Sequence, residues 1–151
     1  MNPLQKLISF LGRACFSLIF IIAGIKKLMN WQATEQQFVN ELIDAFTKSY
    51  QQGWAQALFD KILPMAPILL VIATIIELGG GLMIFLGIKV RFAAFLFVLF
   101  LIPVTFLFHD FWAFSGAEQQ MQIVMFLKNI SILGGSLILL AFGSGPKRTA
   151  S

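Results

Sequence analysis

Apolar residues are gathered into four long runs separated by short polar stretches. The runs extend from about Leu4 to Leu28, Ile62 to Leu86, Phe92 to Phe108 and Ile123 to Phe142. A helix needs about 20 mostly apolar residues to cross ~30 Å of hydrocarbon, so the third run is somewhat short and the others suffice. Backbone groups in lipid must satisfy one another, which selects helices over open strands. Pro64 and Pro67 suit the first turn of the second helix, and Pro103 is placed to kink the third. The expected fold is all-α: an integral membrane four-helix bundle, residues 1–151 forming a single transmembrane domain without internal repeats.

The connection from Asn30 to Lys61 has a different pattern. Phe38, Val39, Leu42, Ile43, Phe46, Tyr50, Trp54 and Ala57 fall within about half of a helical wheel. Glu41, Asp44, Lys48 and Gln51 share the other side, with Asp44 and Lys48 at i,i+4 spacing. This predicts an additional amphipathic helix in the first extracytoplasmic loop, lying at the interface or capping the bundle, with Gly53 as a candidate break. It is read as a membrane-surface helix without chemistry of its own. A lid over a ligand cavity is the alternative.

Composition agrees with the runs. The chain is 58% hydrophobic and 12% charged, with a mean hydropathy of +0.85 and 17 Phe. Ordinary soluble domains are about half apolar and a quarter charged. The net charge of +4 raises the question of nucleic acid, but the cations stand singly or in pairs at the ends of apolar runs. There they anchor helices to headgroups of membrane lipid, and no basic stripe follows phosphates, so no nucleic-acid partner is expected. A single cysteine, Cys15, excludes an internal disulfide and a CxxC motif, and reads as a small core residue. Cys15 and the single histidine, His109, are too few for a His/Cys metal site, so no metal is expected. The first run is interrupted by Arg13 and lacks an A-x-A site, as in a retained membrane helix rather than a signal peptide.

Charge bias gives an orientation. One side carries Lys6, Arg13, Lys89, Arg91, Lys147 and Arg148 with no acid among those segments. The other carries Lys26, Lys27, Lys48 and Lys61, diluted by Glu35, Glu41, Asp44, Asp60, Asp110 and Glu118. The positive-inside rule then places both termini in the cytoplasm.

Ionisable groups inside a span cost roughly 2.5–3.5 kcal/mol each on insertion scales and usually face partners in the bundle. Arg13 lies nine residues beyond Leu4, and Glu77 nine residues before Leu86. At 1.5 Å per residue both sit roughly 13 Å from the same face, so antiparallel neighbours would bring them level as a buried pair. Either the pair fixes helix register, or Glu77 carries a proton or binds a polar headgroup under the influence of Arg13. Gly79, Gly80, Gly81 and, in the fourth run, Ser131, Gly134, Gly135 and Ser136 suit close helix packing, with approach of a flat ligand as the alternative. A second, outer polar cluster comprises Lys27, His109, Asp110, Trp112, Lys128 and Asn129. Snorkelling accounts for Lys26 and Lys27, whereas Lys128 follows Phe126 and Leu127 inside an apolar run and is expected to face His109 and Asp110.

Several pieces together resemble the DoxX family of small bacterial membrane proteins. They are Arg13, Phe20-Ile21-Ile22-Ala23-Gly24, Lys27-Leu28, Glu77-Leu78-Gly79-Gly80-Gly81, Leu86-Gly87 and Arg91. Further on come Phe108-His109-Asp110-Phe111-Trp112, Phe126-Leu127-Lys128-Asn129 and Gly134-Gly135, so the likeness spans about residues 10–140. The segment around Glu35 to Asp60 matches least. The resemblance implies a four-helix bundle in the bacterial inner membrane and a loose link to redox or oxidative-stress systems. It assigns no catalytic role to any residue, and fold alone does not confer function. No flavin, haem, nicotinamide or iron–sulfur signature is present, so no cofactor is evident and quinone is the one left open. The leading expectation is an accessory membrane subunit of a redox system, with a soluble or membrane redox protein as partner. A transporter or lipid-binding protein centred on Arg13 and Glu77, and a non-catalytic assembly factor, are the alternatives.

Overall fold

The computed structural model describes residues 2–48 and 53–145, and every described element is helical. Helix α1, Pro3–Met29, begins at Asn2, whose side chain accepts from the Gln5 amide while the Gln5 side chain accepts from the Asn2 amide. This reciprocal cap satisfies two otherwise orphaned donors. Helix α2, Trp31–Lys48, follows one residue later. The second span is assembled from α3 (Gly53–Ile62), a 3₁₀ turn (Leu63–Met65), α4 (Ala66–Ile75), a π turn (Ile76–Gly80) and α5 (Gly81–Leu86). Pro64 falls within the 3₁₀ turn and Pro67 in the first turn of α4, where a missing N–H is tolerated. Helix α6, Val90–Phe108, contains Pro103, and α7 runs from Gly116 to Phe142.

Four helical segments are long and apolar enough to cross a membrane: Pro3–Met29, Gly53–Leu86, Val90–Ala113 and Gly116–Phe142. The third starts at Val90 and the fourth starts seven residues before Ile123, so polar Glu118 to Gln122 form helix that the apolar runs alone do not mark.

The bundle core is aromatic. Phe20, Ile84, Val90, Ala93, Phe97 and Leu101 are buried together, with the Phe20 and Phe97 rings 4.0 Å apart at their centroids. Glycines set how close the backbones come. A methyl added at Gly24 of α1 would lie 2.9 Å from Leu78 Cβ, and one at Gly81 would lie 3.0 Å from Ile21. Gly80 faces the Phe97 ring and Gly135 of α7 the Phe16 ring. Small residues are therefore the contact surface between α1 and the second span, as expected where packing rather than water exclusion drives association. Cys15, by contrast, is exposed on the outside of the bundle, because its position on α1 turns away from the Ser17–Phe20–Gly24 stripe that is buried.

The amphipathic segment is a cap with its own small core. Leu42, Phe46, Ala55 and Ala66 are buried together, flanked by Phe38, Phe59 and Phe108. Phe46 meets Phe59 at 5.2 Å and Phe38 meets Phe108 at 5.6 Å. The wheel expected for residues 30–61 is not kept throughout: Ile43, Trp54 and Ala57 are exposed, and Ala55 is buried instead. Within α3, described from Gly53, Ala55 takes the inward position. Tyr50 and Gln51 of that wheel, and the basic pair Lys147 and Arg148, lie outside the described residues.

Gly24→Ala should lower the melting temperature of the detergent-solubilised protein, with a loss of about 1–3 kcal/mol for overpacking. Gly134→Ala, with nothing within 4 Å, should be neutral or stabilising by up to about 1 kcal/mol. Equal melting shifts would mean that Gly24 does not hold the interface. The termini share one face, since Ser9 donates to the Ser144 carbonyl. A reporter fused at the C-terminus is expected to read cytoplasmic, and an external signal would reverse the orientation.

Candidate functional site

The close contact of α1 with the second span determines which charges meet. Gly24 lies opposite Leu78, Ile21 opposite Gly81 and Arg13 opposite Gly87. In that register Lys27, in the last turn of α1, is level with Glu77, and its Nζ donates to Glu77 Oε2 in an ion pair. The Glu77 side chain is 8% exposed and that of Lys27 22%. Glu77 stands in the π turn, an insertion that alters the phase of the helix and recurs at functional sites.

The expected Arg13–Glu77 pair is therefore not formed. It assumed that Leu4 and Leu86 mark the same height, whereas α1 overhangs the end of α5 by roughly 15 Å, about ten residues at 1.5 Å each. Arg13 instead packs on Gly87, which ends α5 in the left-handed conformation at φ 75°. A cation there complements the negative end of the helix dipole. Arg13 Nε is buried and has no hydrogen-bond partner among the described residues.

A groove of about 520 Å³ lies beside the ion pair, between α1, α2 and α4. Lys26 and Lys27 border it from α1, Thr34, Gln37 and Glu41 from α2, and Leu70 supplies an apolar wall. Thr34 donates to the Asn30 carbonyl, and Gln37 donates to Glu41 Oε1 at 2.8 Å. Cationic donors at one edge and an apolar wall at another suit a molecule with a polar, acceptor-bearing head and an apolar body.

The outer cluster separates into parts. His109 Nδ1 and Gln122 Oε1 are 3.0 Å apart, which anchors the end of α6 to α7. Asp110 is buried, its Oδ2 without a hydrogen-bond partner among the described residues, beside a cavity of about 90 Å³ also bordered by Glu41, Asp44 and Gln122. Asn129 is buried. Lys128 is exposed and its Nζ approaches Met125 Sδ at 3.3 Å, so it does not face His109 and Asp110. One helical step separates it from buried Asn129, which takes the inward position. Trp112 is exposed and packs edge-on against Phe111. Among the described residues no group of three His, Cys, Asp or Glu side chains is placed to hold a metal ion.

In the sequence Lys27 was visible as a snorkelling residue and a member of the outer cluster, not as the partner of Glu77. Placing Gly24 against the Leu78–Gly81 stretch comes within a turn of the observed register and would have brought Lys27 near Glu77.

Comparison with known proteins places the chain among bacterial membrane proteins. The family model described as DoxX matches residues 8–110. Inner membrane protein YphA of Escherichia coli (strain K12) is 27% identical over 141 residues, covering 93% of this chain and 86% of the relative. Inner membrane protein YqjF of the same organism is 27% identical over 145 residues, covering 96% and 91%. No solved structure matches significantly.

Glu77→Gln or Lys27→Gln alone should strand the partner's charge. For a fully buried pair the loss is roughly 3–5 kcal/mol, and here it should be smaller because Lys27 is only partly buried. The double variant should cost less than the sum of the two, measured by melting in one detergent. Arg13→Gln combined with Glu77→Gln should instead be additive. Coupling of Glu77 to Arg13 rather than to Lys27 would invalidate the pairing.

Proposed function

The chain belongs to the DoxX family, and on that footing we propose that it is a multi-pass inner-membrane protein serving as accessory subunit of a redox system, with the Lys27 groove holding a quinone headgroup. The relatives named inner membrane proteins support the location. The observation that carries the rest is the Lys27–Glu77 pair at the edge of a groove that combines donors with the apolar Leu70 wall.

A quinone, when bound, supplies two-electron, two-proton carrier chemistry. Lys27 has ammonium donors left to hold a carbonyl oxygen, since Lys carries three N–H groups and one is directed to the carboxylate. Glu77 is the nearby group that can take up or deliver a proton. Lys26 at the same edge adds a second cation that favours an acceptor-rich head. Electrons would come from a partner protein, and α2, which borders the groove with Thr34 and Gln37, would determine access to it.

Binding of a short-chain quinone to the full chain in nanodiscs tests this reading. Lys27→Gln should weaken it by at least about tenfold, near the 1.5–3 kcal/mol of a hydrogen bond to a charged group. Trp112→Ala, away from the groove, should leave it unchanged. Equal quinone affinity in wild type and Lys27→Gln would sink the quinone reading. Mass spectrometry of the protein gently extracted from its native membrane should also recover a hydrophilic redox enzyme, and recovery of lipid alone would favour a lipid-binding role.

A further inference from the structure

We propose that the face carrying the termini holds a specific site for the phosphate headgroup of an anionic phospholipid, built from Lys89 and Arg91 with Arg13 behind them. The site is independent of the Lys27 groove, which lies at the opposite end of α1.

A cavity of about 1030 Å³ opens between the α5–α6 turn and the end of α7, bordered by Gly87, Lys89, Arg91 and Phe92 on one side and Phe142 and Gly143 on the other. Its volume is at the upper end of the range typical of small-molecule sites. The turn holds its cations in a defined conformation. Gly87 has φ 75° and Lys89 φ 43°, the latter a left-handed conformation that a non-glycine residue rarely adopts. Lys89 is also the residue before the first turn of α6, a 19-residue helix with no side-chain cap, so its first amides lack intrahelical partners. Helix amino ends attract phosphate.

Among the described residues no acid neutralises the positive charge here. Among the described residues the ion pairs are Lys27–Glu77 and Lys48–Asp44, so Arg13, Lys89 and Arg91 have no acidic partner. Arg91 directs Nη2 to the Ala141 carbonyl at 2.9 Å, which leaves most of its five N–H donors for a ligand. Arg13 packs against the same Gly87 that lines the cavity, with its Nε buried and unpartnered.

The walls decide between lipid and free phosphate. Phe92 and Phe142, 54% and 69% exposed, line the cavity, and Leu86 and Ile88 are exposed beside it. A soluble anion gains nothing from that surface. A phospholipid places its phosphate against the cations and its acyl chains along the aromatic wall.

The test is native mass spectrometry of the full chain released from mixed micelles of phosphatidylglycerol and phosphatidylcholine. Wild type should retain phosphatidylglycerol preferentially. Lys89→Gln with Arg91→Gln should weaken that preference roughly 30-fold, about fivefold for each cation at an anionic surface. Lys89→Gln alone changes an exposed side chain and gives an intermediate value should the double variant fold poorly. Lys128→Gln, which removes an exposed cation elsewhere, should leave the preference intact. An equal loss in Lys128→Gln, no loss in the double variant, or binding of inorganic phosphate without phosphatidylglycerol preference overturns the proposal.

Discussion

Contact between α1 and the second span at Gly24, Leu78 and Gly81 is the constraint on which the charge pattern depends. Membrane helices gain little from water exclusion when they associate, so backbone proximity at small residues fixes their height relative to each other. Once Gly24 is opposite Leu78, Lys27 meets Glu77 and Arg13 meets Gly87 without further adjustment. A shift of a single helical turn would carry Lys27 about 5.4 Å from Glu77 and leave a carboxylate in the bundle without a partner. Packing and electrostatics thus specify the same register.

The two ends of the bundle have different characters. At one end α2 closes over the bundle through Leu42 and Phe46, and the polar groups beneath it are acidic or amide-bearing as well as basic. At the other, the turn from α5 to α6 is open and its ionisable side chains are basic. The cap accounts for why α2 is helical although it is too polar to enter lipid. Its apolar stripe has a protein surface to cover.

Much of the architecture was legible in the chain. Four apolar runs gave four spans, because hydrocarbon thickness and backbone hydrogen bonding leave few other solutions. The extra amphipathic helix was readable from Phe38, Leu42 and Phe46, but not the inward position of Ala55, since a small side chain carries little weight beside Trp54 in an apolar pattern. Glu77 was identifiable as an expensive residue needing a partner. The partner was misassigned because the ends of hydrophobic runs are a poor ruler: α1 continues well past α5. The π turn left no composition signal, and Lys128 was placed inward although Asn129 holds that position.

The π turn has a consequence for how this gene can vary. Ile76–Gly80 accommodates one residue beyond what regular helix would hold, so the parts of the second span on either side are offset in phase. Loss of a single codon there would return the turn to regular α-helix and leave the segments on either side close to their present faces. Loss of one residue from α4 or α5 has no such slack and would rotate Leu70 and the cap contacts of α3 by about 100° relative to Ile84 and Gly81. Tolerance of a shortened chain in the second span is therefore confined to these five positions.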